Sequence, residues 1–297
     1  MTTSQDRKIG CSATRFVCSN LRTMVTVGCF LLASLFGCGL GSVSATEPPQ
    51  GRDRAASSAT ATEDTTDQAG RRIDRPQPVE ERRQQYMGRV LAEPMSHLGA
   101  AWLVRPEREL EENATRAFKQ LELKPGMRLC DLGCGNGYWT LPMARAVGAD
   151  GIVFAVDIQV EMLQQLRARL ARARLNNVTP VLGDVDSPKL PDNAALDLVL
   201  MVDVYHEFSH PESMLWAIRN ALQPEGVIAL LEYREEDPDV PIKPLHKMSK
   251  RQIMREYEAN GFKLVREYND LPWQHLMFFA RDDSPLPAID PEPFVVD

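Results

Sequence analysis

One glycine-rich segment limits the possible folds more than any other part of this chain. It reads DLGCGNG at positions 131–137 and directly follows RLCDL, a short apolar run that predicts a buried strand. A helical pattern begins at about Tyr138. Glycines between a strand and a helix let the backbone turn tightly and approach a ligand at the helix N-terminus. The segment therefore predicts an α/β domain with a ligand-binding loop.

Two common glycine-rich motifs do not fit this segment. A dinucleotide fingerprint needs its third glycine at the position that Tyr138 occupies, and a phosphate-binding P-loop needs a Gly-Lys-Ser/Thr ending. The spacing therefore disfavours a nicotinamide-dependent oxidoreductase and a nucleotide hydrolase.

Predicted strands and helices alternate after Gly126, which is typical of parallel strands joined by crossover helices. Helices are predicted from about 138 to 147, over VEMLQQLRARLARARL, from Pro211, and from about 249 to 260. The seven predicted strands are RLCDL, GIVFAVD, VTPVLGD, LDLVLMV, GVIALLEY, FKLVREY and QHLMFFARD.

The segment DLGCGNGYWTLPMA resembles motif I of the class I S-adenosylmethionine-dependent methyltransferases. Further matches follow in the family's order: FAVDIQVEML, the Gly183-Asp184-Val185 segment, and DVYHEFSHPESMLWAIRNALQPEGVIALLEY. Together they span roughly residues 110–281. The resemblance implies an α/β, Rossmann-like three-layer sandwich. Its seven-stranded sheet would be mostly parallel with an antiparallel C-terminal strand, and helices would precede it.

The resemblance also implies a set of residues that bind S-adenosylmethionine. Asp131 would orient its methionine end, Asp157 would receive the ribose hydroxyls, and Asp184 would receive the adenine amino group. The glycines would allow close approach of the backbone. The expected cofactor-binding residues are Asp131, Gly133, Gly135, Gly137, Asp157, Asp184 and Val185.

In the resembled family, the loop after the fourth strand lines the acceptor side. Here it carries Asp203, Tyr205 and His206, which are the expected catalytic residues. Because the methyl donor is a sulfonium, the protein has to align the acceptor and, for an O–H or N–H acceptor, remove a proton. Because a histidine side chain ordinarily titrates near neutral pH, His206 is the candidate base. The alternative, that His206 only packs or hydrogen-bonds beneath a lid, stays open.

The sequence from His206 to His210 matches the H-E-x-x-H pattern of zinc proteases. That pattern binds zinc only when both histidines project from one face of one helix. Here Pro211 is better placed as the first residue of the next helix, so the five residues predict a loop. No metal site is therefore expected.

The N-terminal region differs in composition from the rest of the chain. Basic residues precede an uncharged run that ends at Thr46, which is the layout of a secretory signal peptide over residues 1–45. Residues 46–84 are polar and predict a disordered linker. We therefore expect an exported protein. A lipoprotein, an uncleaved anchor, and a cytoplasmic enzyme that starts at Met24 or Met87 stay open.

The expected methyltransferase domain covers residues 85–283, followed by a flexible, proline-rich tail over 284–297. Within it, residues 85–125 predict an N-terminal helical lid and 126–283 the core. Within this predicted lid, one helix is expected in PERELEENATRAFKQLEL, because apolar residues recur there at helical spacing. That segment could fold over a pocket or simply pack on the sheet. The recurring apolar residues are Leu110, Ala114, Ala117, Phe118 and Leu121.

Charge and cysteine content narrow the possible partners. The formal net charge of −7 argues against nucleic acid as a partner. Cys130 and Cys134 are predicted to lie too far apart to form a disulfide. We expect a small-molecule acceptor and no stable membrane span after leader cleavage, while the oligomeric state stays open. A binding module without catalysis is the alternative function.

Overall fold

The computed structural model describes residues 82–294. The expected signal peptide, most of the expected linker and the last three residues lie outside the described residues. Within residues 82–294, none of the helices has the length and apolar character that a membrane crossing requires.

The described residues form nine strands. A short hairpin precedes the main sheet, and the other seven strands match the seven predicted from the sequence. The strands are β1 (Gln85–Tyr86), β2 (Arg89–Val90), β3 (Arg128–Leu132), β4 (Ile152–Asp157), β5 (Val178–Leu182), β6 (Leu196–Val202), β7 (Leu222–Tyr233), β8 (Phe262–Tyr268) and β9 (Gln274–Arg281).

Six α-helices accompany them: α1 (Arg108–Glu112), α2 (Ala114–Gln120), α3 (Thr140–Val147), α4 (Val160–Ala173), α5 (Pro211–Ala221) and α6 (Lys250–Ala259). Four short 3-10 helices lie in the connections, at His97–Gly99, Trp102–Val104, Tyr205–Glu207 and Pro244–His246.

The seven-stranded sheet has the order β5-β4-β3-β6-β7-β9-β8. Strands β3 to β7 pair in parallel, and β9 pairs antiparallel with both β7 and β8. The predicted Rossmann-like α/β fold is thereby confirmed. Because β3 pairs with β4 on one side and β6 on the other, the chain reverses its winding at β3. A crevice opens at the carboxyl ends of strands at such a point, and ligands bind there in this class of fold.

Side chains alternate between the two faces of the sheet, as the strand period of two requires. On β6, Leu198 and Leu200 pack with α2 and α3, whereas Val199 and Met201 pack with α5 and α6. All four are almost fully buried. Both faces are therefore covered, which explains why β6 reads as a continuous apolar run.

The single helix predicted before the core is two helices. Asn113 adopts a left-handed conformation with φ of 51°, ends α1, and accepts a hydrogen bond from the Arg116 amide at the start of α2. Asparagine tolerates this conformation better than most residues, so the break has a local cause. As a result Leu110, expected on the buried face, is 85% exposed.

Residues after β9 are held against the domain, in contrast to the loose tail expected from their proline content. The Ile289 amide donates to the Leu264 carbonyl at 2.9 Å, and Lys250 Nζ donates to the Glu292 carbonyl at 2.8 Å. These bonds use the backbone of the tail, which composition does not reveal. Cys130 and Cys134 are buried and free.

Candidate active site

A cavity of about 550 Å³ lies at the carboxyl ends of β3, β4 and β6. One part of its wall comes from the glycine-rich loop and the ends of β4 and β5. Another comes from the loop after β6 and from residues 241–246, and the N-terminal segment covers both. Seven of the ten predicted site residues line it: Gly133, Gly135, Asp157, Asp184, Val185, Asp203 and His206.

 The other three predicted residues do not border the cavity: Tyr205 lies behind its wall, and Asp131 and Gly137 lie outside it.

The glycine-rich loop turns between β3 and α3 with little room around its backbone. Gly133 has φ of +75°, and a Cβ atom there would lie 2.4 Å from Val204 Cγ2. Gly135 has φ of +51°, and a Cβ atom there would lie 2.6 Å from Leu103 Cδ1. Both positions therefore favour glycine by conformation and by space. The neighbour of Gly135 is a side chain of the N-terminal segment, which lies directly over the loop.

Asp157 stands at the end of β4 with its carboxylate at the cavity. Its two oxygens accept hydrogen bonds from the backbone amides of Gly135 at 2.9 Å and Gln159 at 2.8 Å. Burial raises the pKa of Asp157, and these amide bonds partly oppose the shift. Because each carboxylate oxygen has two lone pairs, the group can accept further bonds from a ligand.

Asp131 lies apart from the cavity. Its carboxylate is buried within β3 and accepts a 2.5 Å hydrogen bond from the Thr140 hydroxyl of α3. Burial raises the pKa of Asp131 to about 7, although the Thr140 bond opposes the rise. The structure therefore places this residue between strand and helix rather than at the cavity wall.

Asp184 and Val185 line the cavity after the end of β5. Asp184 Oδ1 accepts a hydrogen bond from the Val185 amide at 2.9 Å, and its side chain is more than half exposed. This pair therefore borders the more open part of the cavity.

Part of the N-terminal segment lies over the cavity. From here on, the lid means residues 92–105, which is shorter than the segment 85–125 expected from the sequence. Asn136 Nδ2 donates to the Ala100 carbonyl at 3.0 Å. Gln159 binds the same segment twice, since its amide donates to the Met95 carbonyl and accepts from the His97 amide, both at 2.8 Å. Residues from the glycine-rich loop and from the end of β4 thus hold the lid.

A buried charged network lies beneath the lid, next to Asp203. Arg108 Nε donates to Glu112 at 2.5 Å, and Arg108 Nη2 lies 3.7 Å from Asp203 Oδ2. The Tyr233 hydroxyl donates to Glu112 at 2.8 Å, and Gln274 donates to both oxygens of Asp203. Burial and the nearby Glu112 hold the pKa of Asp203 well above its usual range, although Arg108 opposes the rise.

His206 is fixed from behind by a carboxylate. Its Nδ1 donates to Glu232 Oε2 of β7 at 2.6 Å, and its Nε2 lies 3.1 Å from His246 Nδ1. Burial lowers the pKa of His206, but the Glu232 carboxylate outweighs it and the net shift is upward. Burial and the neighbouring His206 lower the pKa of His246. An imidazole oriented in this way can exchange a proton at Nε2 with a group in the cavity.

Tyr205 faces away from the cavity. It is fully buried, and its hydroxyl donates to Glu256 Oε2 of α6 at 2.8 Å. The same carboxylate group binds Arg89 Nε at 2.6 Å. Tyr205 therefore joins the loop after β6 to α6 and to the hairpin.

The H-E-x-x-H sequence does not place its two histidines on one helix. Residues 205–207 form a 3-10 helix, and α5 begins at Pro211. His210 Nδ1 lies 3.0 Å from the neighbouring Ser209 hydroxyl, and His210 is not among the residues that line the cavity. The arrangement that the zinc-protease pattern requires is therefore not formed.

Sequence reasoning missed several residues of the cavity and its support. Glu207 was visible only inside the H-E-x-x-H pattern, which pointed to another arrangement. His246 and Glu232 had no sequence signal, because the fold alone brings them to His206. The missed residues are Glu112, Glu207, Glu232, Tyr233 and His246.

A doubly covered sheet with a glycine-rich loop after β3 and a carboxylate at the end of β4 is typical of Rossmann-like domains that bind a ribose-containing cofactor. The methyltransferase-domain family matches residues 123–272, which are 150 of the 297 residues. The chain belongs to this family. The family match and the fold together confirm the expected class, a methyltransferase domain of Rossmann-like fold.

Individual relatives are similar over part of the chain. The demethylmenaquinone methyltransferase of Shouchella clausii is 28% identical over 166 residues, which cover 56% of this chain and 69% of that protein. The ubiquinone/menaquinone biosynthesis C-methyltransferase UbiE of Burkholderia cenocepacia is 31% identical over 164 residues, covering 54% of this chain and 58% of that protein. The chain therefore spans between about half and two thirds of the length of these relatives.

A crystal structure of a SAM dependent methyltransferase from Aquifex aeolicus has the same fold. It superposes with a TM-score of 0.59 at 24% sequence identity and covers 63% of this chain and 98% of that one.

Proposed function

We propose that this domain binds S-adenosylmethionine in the cavity at the carboxyl ends of β3 and β4 and transfers its methyl group to a small aromatic acceptor of the quinone type. The observation that carries the proposal is the Asp157 carboxylate, which two backbone amides hold at the cavity wall. A carboxylate at the end of the second core strand suits the paired hydroxyls of a ribose.

The cavity suits a ligand of this size. Its volume of about 550 Å³ lies within the range of roughly 300–1,000 Å³ that is usual for small-molecule sites. Gly135 and Asp157 lie at one side, and Asp184 and Val185 continue the wall beyond β5. These residues would hold the cofactor, which supplies the electrophilic methyl group. Asp203 and His206, across the cavity, would face the acceptor.

Two observations support a quinone-type acceptor. The similar proteins from Shouchella clausii and Burkholderia cenocepacia are named for methylation in menaquinone or ubiquinone biosynthesis. The cavity also offers apolar side chains against which a flat ring can pack. They are Trp102, Leu103, Phe208, Met214 and Ile242.

The proposal is tested by measuring binding and transfer on the same protein. Calorimetry with S-adenosylhomocysteine should give one site, and methyl-tritiated S-adenosylmethionine should label the lipid-soluble fraction of a cell extract. Binding without label in any fraction would favour a module that binds the cofactor without catalysis. Label in a water-soluble fraction alone would keep the methyltransferase and reject the quinone-type acceptor.

We also propose that the protein is exported, on the strength of the basic residues and the uncharged run before Thr46. N-terminal sequencing of the native protein tests this. A chain that starts at Thr46 supports export, whereas one that starts at Met87 contradicts it.

A further inference from the structure

Three groups of the kind that bind metal ions converge at the acceptor side of the cavity. They are His206, Glu207 and His246, whose ligand atoms all lie within 4.8 Å of one another. His206 Nε2 lies 3.1 Å from His246 Nδ1 and 3.9 Å from Glu207 Oε1. All three residues line the cavity.

The spacing of these atoms matches that of ligands on one ion. Two nitrogen atoms about 2.1 Å from a zinc ion lie about 3.4 Å apart at a tetrahedral angle and about 3.0 Å apart at a right angle. The two imidazole nitrogens, 3.1 Å apart, fall within that range. Glu207 Oε1 is 3.9 Å from His206 Nε2. Because the three ligand atoms lie within 4.8 Å of one another, a carboxylate shift of at most about 1.4 Å would bring Glu207 to the same range.

His206 already has the support that a metal-binding histidine usually has. Glu232 is fully buried and accepts a 2.6 Å hydrogen bond from His206 Nδ1, so the other ring nitrogen, Nε2, points toward His246 and the cavity. A carboxylate behind the far ring nitrogen of a ligating histidine fixes its tautomer and its direction. The cluster therefore contains a supporting carboxylate, Glu232, in addition to the three candidate ligands.

The charge of the cluster also favours a cation. The side chains of Glu207 and Glu232 are 14% and 0% exposed, and they lie on either side of His206. The nearby guanidinium groups of Arg82 and Arg89 donate to the backbone carbonyls of Glu207 and His206. If both imidazoles are neutral and both carboxylates are ionised, the cluster has two negative charges that a divalent ion would balance.

We propose that His206, Glu207 and His246 bind one Zn²⁺ ion at the acceptor side of the cavity. Two histidines and one carboxylate form a ligand set that zinc enzymes use while they keep a position open for water or substrate. The remaining position of the ion faces the cavity. If the proposed methyl transfer holds, an acceptor hydroxyl bound there would release its proton to solvent water and stay on the ion as an oxyanion, and His206 would serve as a ligand instead of a base.

The test is metal binding by the full chain, purified without a histidine tag and dialysed against a chelator. Calorimetry with Zn²⁺, and the visible absorption of Co²⁺ in its place, should show one ion per chain. His246→Ala removes a partly exposed ligand and should weaken binding at least 100-fold. His97→Ala is the matched control, because His97 lies 3.9 Å from Glu161 outside the cavity, and it should bind as the wild type does.

Three results would overturn the proposal: less than about one tenth of an equivalent of bound Co²⁺, equal affinity in His246→Ala and wild type, or loss of binding in His210→Ala but not in His246→Ala. The last would restore the H-E-x-x-H arrangement. S-adenosylhomocysteine binding is measured on the same samples. Intact cofactor binding with no metal site refutes the zinc proposal alone, and a metal site without cofactor binding refutes the proposed function alone.

Discussion

Replacing Asp157 by alanine should weaken S-adenosylhomocysteine binding about 10- to 150-fold. The carboxylate would form charge-assisted hydrogen bonds with the ribose, and losing them costs about 1.5–3 kcal/mol, which corresponds to that change in Kd. Asp157 also accepts bonds from the amides of Gly135 and Gln159. Both amides lie at the cavity, where water can replace the carboxylate, so the domain should stay folded.

Calorimetry measures this change, and a thermal melt confirms that the variant is folded. Asp157→Asn keeps the shape of the side chain and one acceptor oxygen, so its loss should be smaller than that of alanine. Asp150→Ala is the matched control, because Asp150 is exposed before the other end of β4. A folded Asp157→Ala protein with an unchanged Kd would show that this carboxylate does not bind the cofactor.

Three further substitutions test other parts of the site. Burial raises the pKa of Asp131 to about 7. Because the folded state then holds this proton more tightly than the unfolded state, the contribution of Asp131 to stability should fall by about 3 kcal/mol as pH rises from about 4 to 7. Melting temperatures of Asp131→Asn should fall less over that range, and equal slopes would contradict the assignment. Arg108→Met removes the cation 3.7 Å from Asp203 and should lower the free energy of unfolding in urea by about 3 kcal/mol; a change below 1 kcal/mol would show that the network tolerates its loss. Gly135→Ala forces a side chain against Leu103 at positive φ and should weaken S-adenosylhomocysteine binding at least tenfold by calorimetry, so an unchanged Kd would exclude close packing there.

The core of the fold could be predicted from the sequence because its signals are local. Continuous apolar runs such as LDLVLMV become strands buried on both faces, and Pro211 begins α5 as expected. The break at Asn113 was missed because the apolar spacing continues through it. The hairpin β1–β2 was missed because each strand has two residues, which are too few to show the alternation of apolar and polar side chains that marks a strand. Such elements depend on contacts with the rest of the domain.

The cofactor side of the site was easier to predict than the acceptor side. Asp157 lies at a strand end and Gly135 in a tight turn, and both features are visible in a few neighbouring residues. Their positions relative to the sheet could therefore be predicted locally. His246 reaches His206 only because residues 234–248 fold back over the ends of the strands. No periodic or local pattern relates two residues that are forty positions apart. For Asp131 the reverse holds: the motif identified the residue, but it did not show that the side chain bonds Thr140 and lies outside the cavity wall.

The two sides of the cavity also differ in their relation to the family. Asp157 and Asp184 lie within residues 123–272, the part that the family matches. Trp102 and Leu103 of the lid lie before it and also line the cavity. Shared residues explain a shared cofactor, but they do not determine which molecule fits beneath a lid that the match leaves out. The choice of acceptor should therefore depend on the lid, and substitutions at Trp102 should change acceptor preference while leaving the affinity for S-adenosylhomocysteine nearly constant.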